Sequence, residues 1–148
     1  MARFLLDTDY DVLIRTEIKS ILLENYSTSK LLSAESMAIA QIKNYLAGRY
    51  DVALIFTALQ HEATDDTRNA FIVMIVIDCA LYHLYSSLAP NKIPEHRSNR
   101  YQDALEWLKM TKEGKGGADL PLITDAITGE VKESIRISSN NKPSNNKW

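Results

Sequence analysis

The sequence predicts a mainly α-helical protein: a bundle of four or five helices carrying an extended or β-hairpin C-terminal arm. Three observations predict it. Of four prolines and five glycines in 148 residues, only Gly48 falls before residue 90. Apolar residues in that region recur in steps of three and four, the signature of one helical face. Three glycines then cluster between Gly114 and Gly117, and the pattern beyond them changes.

The first helix is expected from Thr8 to about Glu24. Thr8 is a candidate N-cap and Asp11 closes a capping box, with acids near the positive helix end. Tyr10, Leu13, Ile14, Ile18, Ile21 and Leu22 form its face. The run 25–29 reads as a break. A second helix is expected to start between Ser29 and Ser33. Its inward residues are Ala34, Met37, Ala38, Ile42, Tyr45 and Leu46. Gly48 suits a cap or a close packing contact near its end. The stretch 51–56 reads equally as a short strand or a helical turn. His61 to Asp66 reads as a loop.

The third helix is the clearest. Asp65 or Asp66 can cap it, and Ala70 to Ser87 is apolar nearly all round, as expected of a central helix. Its longest unbroken apolar run, Ala70 to Ile77, is well short of the ~20 residues of a bilayer span, so no membrane role is expected. Pro90 and Pro94 end it. Pro94 also opens the fourth helix, where a first-turn proline is tolerated. Tyr101, Ala104, Leu105 and Leu108 face inward there, with Trp107 flanking. Gly114, Gly116 and Gly117 are expected to form a hinge between a helical domain, residues 1–113, and an arm, residues 114–148. In the arm, Thr128-Gly129 sits between β-capable residues, and Ile135 and Ile137 alternate around Arg136, which suggests a hairpin. The last fifteen residues hold eight Ser or Asn, three cations and no acid.

Composition narrows function. Seventeen Lys and Arg against nineteen Asp and Glu give a net charge of −2. No segment is basic enough to act as a nucleic-acid footprint. One cysteine, Cys79, permits neither an intrachain disulfide nor a cysteine-rich zinc site. The N-terminus lacks the apolar core of a signal peptide.

Candidate chemistry is sparse. Asp78 interrupts the central helix, and a buried carboxylate needs a partner. An arginine or the hydroxyl of Tyr82, one turn on, would serve. His61, His83 and His96 have no ligand neighbours at helical spacing, so no metal is expected. Cys79 in an apolar stretch reads as packing. The glycine cluster lacks the spacing of a phosphate loop. No catalytic residue and no cofactor is expected.

Three stretches in order carry a resemblance. They are Tyr45-Leu46-Ala47-Gly48-Arg49-Tyr50, then Asp78-Cys79-Ala80-Leu81-Tyr82-His83-Leu84, then Arg100-Tyr101-Gln102-Asp103-Ala104-Leu105-Glu106-Trp107-Leu108. Over roughly residues 8–117 the chain resembles small structural proteins of Mu-like prophages, which are related to tailed-phage head–tail connector (adaptor, head-completion) proteins. The resemblance implies a virion protein without enzymatic activity. It implies a homo-oligomeric ring, commonly a dodecamer, docked on the portal protein. The ring extends the channel for DNA, which passes only as cargo, and offers a platform to the next neck or tail-completion protein. Carried onto this chain, it makes Arg49 and Asp78 the candidates for a buried ion pair joining the second and third helices. The segment 51–66 is longer than the expected link and lacks its proline, leaving room to face a neighbouring subunit or the channel. The competing expectations are a small helical adaptor or regulatory binding protein, and a nucleic-acid binder using the basic tail; the absence of a basic face weighs against the latter.

Overall fold

The computed structural model describes residues 3–15, 28–58, 65–88 and 90–132. Within them the chain is mainly helical, as expected. It forms α1 (Tyr10–Leu13), α2 (Thr28–Leu46), α3 (Val52–Ile55), α4 (Ala70–Leu88) and α5 (Glu95–Lys112), with 3-10 turns at Asp7–Asp9 and Pro90–Lys92.

The first helix differs from its expectation. Its start carries no side-chain cap from Thr8; Asp9 stands at the N-cap, and its carboxylate instead closes the preceding 3-10 turn by accepting the Leu6 N–H at 2.7 Å. It ends after four residues because Ile14 is extended (φ −142°, ψ 135°). The reason is a competing donor: Arg97 Nη2 bonds the Leu13 carbonyl at 2.7 Å, an oxygen that a continuing helix would use itself. The rest of the expected helix, residues 16–24, lies outside the described residues.

Helix α2 buries Leu31, Ala34, Glu35, Ala38, Ile42 and Leu46. Met37, expected inward, is exposed, one position off that stripe. Gly48 neither adopts a positive φ nor packs closely; a Cβ there would meet nothing. The ambiguous stretch is the short helix α3. Asp51 caps it by accepting the N–H groups of Ala53 and Leu54. Helix α4 is capped by Asn69, whose Oδ1 accepts from Phe71 and Ile72, and not by Asp65 or Asp66. Asp66 is taken by Arg68 instead.

Helix α4 is the centre of the body and packs on both α2 and α5, with α1 against a further side. Ile72, Val76, Ile77, Ala80 and Leu81 are buried along it. Its window Ala70–Ser87 is long and apolar enough by itself to cross a membrane, but half of that window is buried within the protein. Phe71 meets Trp107, and Asp78 meets Arg100, the register of two antiparallel helices. Ala104, Leu108 and Thr111 of α5 close the core.

The end of α5 is tightly determined. Gly114 N–H bonds the Thr111 carbonyl and Lys115 N–H the Met110 carbonyl, a Schellman arrangement with Gly114 at the left-handed position (φ 75°). Gly116 and Gly117 are also at positive φ. Beyond them the chain returns to the body. Tyr50 and Leu122 form an antiparallel bridge, Asp51 N–H bonds the Pro121 carbonyl, and Asn69 bonds the Asp119 carbonyl. Ala118, Leu120 and Leu122 pack on the core. A second bridge, Thr124 to Val131, closes a turn in which Asp125 accepts from Ile127 and Thr128. Among the described residues no longer strand forms. Ile135 and Ile137 lie outside them.

Candidate functional site

Asp78 is 3% exposed and lies near the midpoint of α4, directly after its apolar run Ala70–Ile77. Its partner is not Arg49. Arg100 grips it with two bonds, Nε to Oδ1 and Nη2 to Oδ2, both 2.7 Å. Arg97 Nη1 stands 3.7 Å from Oδ1, beyond hydrogen-bond range, while its Nη2 holds Leu13. Arg49 is elsewhere for a geometric reason. Its guanidinium lies against Gly114, where an added Cβ would be 2.5 Å from Nη1. That is fourteen residues past Arg100 on α5, roughly 20 Å of helix from Asp78's partner.

Two more ionic centres complete the set. Glu35, buried on α2, takes Arg3 through Nε at 3.0 Å and through Nη2, and accepts the Tyr10 hydroxyl at 2.6 Å. Burial and the adjacent carboxylate push the Tyr10 phenol far above its ordinary value. Arg68 has a side chain only 3% exposed. It bonds both oxygens of Asp9, both oxygens of Asp66 and the Phe4 carbonyl. Its bonds to Asp66 and Asp9 raise its own pKa and lower that of Asp66. Glu35, Arg68 and Arg97 thus fasten the N-terminal segment 3–14 to α2, to the lead-in of α4 and to α5.

The sequence reading missed these fasteners, yet a signal for two of them was present. Leu31, Glu35, Ala38 and Ile42 step by four, three and four, which puts Glu35 on the buried stripe. Arg97, Tyr101, Ala104, Leu108 and Thr111 follow the same rhythm. Arg68 sits outside any helix and leaves no such trace.

Chemically, the carboxylates of these centres are engaged, while Arg97 Nη1 is buried without a hydrogen-bond partner. A carboxylate held by a two-bond guanidinium has both oxygens already engaged. Cys79 is fully buried, and burial pushes its thiol up to about 12. His83 Nε2 faces Gln41 Oε1 at 3.0 Å, and Gln41 Nε2 donates to the Tyr101 hydroxyl at 3.0 Å. Tyr101 stacks flat on Tyr82, ring centroids 3.9 Å apart. This cluster joins α2, α4 and α5 and holds no acid or thiol nucleophile. Among the described residues no group of three His, Cys, Asp or Glu could hold a metal.

The family model described as Bacteriophage Mu, Gp36 matches residues 6–134, nearly all of the bundle and the returned arm. The chain belongs to the bacteriophage Mu Gp36 family. No curated protein and no solved structure matches it. The Gp36 family places the chain among phage structural and morphogenesis proteins. The match begins at Leu6 and therefore takes in Asp9, Glu35, Arg68, Asp78, Arg97 and Arg100, the ionic fasteners that make the Gp36-family body one piece.

Proposed function

We propose that this chain is a structural virion protein without enzymatic activity: a subunit of a homo-oligomeric head–tail connector ring, a dodecamer in the favoured form. The ring docks on the portal at the neck, extends the channel through which DNA passes, and receives the next neck or tail-completion protein.

The family match over residues 6–134 carries this reading. The physical character of the body supports it. A subunit that transmits load needs its helices locked to one another, and here the N-terminal segment, α2, α4 and α5 are locked by paired charges. The net charge of −2 suits a channel that must release DNA, since phosphate neutralisation by lysine and arginine would retain it.

Mass measurement of the purified chain, alone and mixed with the portal of its phage, tests the reading. A ring or a portal-bound species is expected. A chain that stays monomeric and does not bind the portal overturns the reading and returns the protein to the class of small helical adaptors.

A further inference from the structure

A groove of about 320 Å³ runs between α1 and the N-terminal half of α4. Val12 forms one wall. Ala70, Val73, Met74 and Ile77 form the other. Those four residues fall at i, i+3, i+4 and i+7, so a single stripe of α4 makes that wall. Val12 is 85% exposed. Asp9, Asp66 and Arg68 close one end. Arg68 is consumed there by Asp9, Asp66 and the Phe4 carbonyl, and the exposed Asp65 adjoins them in the chain. Two carboxylates therefore face one guanidinium at that end, leaving it net negative by one charge. The fitting occupant carries apolar side chains beside cations and has no acid.

Two segments that follow α5 in the chain offer apolar side chains. The turn 125–130 presents Ile127, 94% exposed, but flanks it with Asp125 and Glu130. Those would meet the acidic end with like charge. The C-terminal residues 134–148 carry Ile135, Ile137 and Trp148 together with Arg136, Lys142 and Lys147, and no acid. From Lys132, the last described residue, Ile135 and Ile137 reach up to roughly 10 and 18 Å and Trp148 up to roughly 55 Å, so a groove on an adjoining copy within that shorter distance is within reach.

We propose that residues 134–148 of one copy of the chain seat in the α1–α4 groove of a second copy, the isoleucines on the apolar walls and the cations at the Asp9–Asp66 end. The proposal rests on the ring reading, which supplies the second copy.

The test uses full-length chains carrying one substitution each, Val12→Cys or Ile137→Cys, mixed and treated with a mild thiol oxidant. Val12 is exposed, while Cys79 is buried and stays silent. A covalent heterodimer is expected, forming several-fold faster than in a mixture of the Val12→Cys and Ile127→Cys chains. Adding Arg136→Glu and Lys142→Glu, or raising the salt, should slow it several-fold. A rate no greater than the Ile127 control overturns the proposal. So does a Val12→Cys/Ile137→Cys chain that closes only on itself. Mass measurement with the portal separates the two ideas: a ring that assembles without the 12–137 link sinks the groove docking alone, and a persistent monomer sinks the ring reading with it.

Discussion

Asp78 of α4 and Arg100 of α5 face each other through two parallel hydrogen bonds of 2.7 Å, with Arg97 a further cation 3.7 Å from the same carboxylate. The pair fixes the register of the two helices. It also leaves Arg97 free to reach Leu13 and stop α1.

Removing one partner of a buried pair strands the other, at a cost of about 3–5 kcal/mol. Asp78→Asn is therefore expected to lower the urea midpoint strongly. Arg49→Ala, which removes an exposed cation 6.0 Å from the centroid of the Tyr50 ring and its packing against Gly114, should cost less than about 1 kcal/mol. Equal losses in the two variants would contradict the pairing seen here.

Gly114 sits at φ 75° with the Arg49 guanidinium over its Cα. Gly114→Ala is expected to destabilise by about 1–2 kcal/mol from backbone conformation, since the exposed end of Arg49 can swing aside. Combining it with Arg49→Ala should therefore be close to additive in a double-mutant cycle in denaturant, and a large coupling would show that Arg49 cannot move. Gly48→Ala has ordinary φ and open space, so it should be neutral or stabilise by up to about 1 kcal/mol.

Glu35 serves two donors, Arg3 and Tyr10. Tyr10→Phe removes one bond and should cost about 1 kcal/mol. Glu35→Ala strands both donors and should cost distinctly more. Hydrogen exchange would locate the effect: residues 3–14 should lose protection before α4 does. Uniform loss across the body would argue against Glu35 as a local fastener.

His83 is half-buried, and desolvation lowers its pKa below 6.5. The unfolded chain therefore takes up a proton at a higher pH than the folded one. Its contribution to stability is complete above about pH 6.5 and declines as the pH falls below that value. His83→Gln should flatten the stability profile between about pH 7 and pH 5. A profile of unchanged slope would show that other groups set it.

Much of the helical plan was written in local pattern. The central helix 70–88 declares itself because a run of apolar residues without glycine or proline has few alternatives. The stop at Gly114 was legible for a similar reason, since the left-handed position after a helix favours glycine. Cap choice was less legible. Asp65, Asp66 and Asn69 all suit a helix start, and Arg68 settles the matter by engaging Asp66, leaving Asn69 to cap α4.

The sequence by itself determined a mainly helical chain, the need of Asp78 for a partner, and the change of character at Gly114, because each follows from contacts within a few residues. Only the tertiary structure decided the partners. Arg100 rather than Arg49 holds Asp78, Arg97 ends α1, and the chain past Gly117 folds back on Tyr50. Those pairings join residues 22 to 84 positions apart, and such distances are set by how helices pack, not by the spacing of residues along the chain.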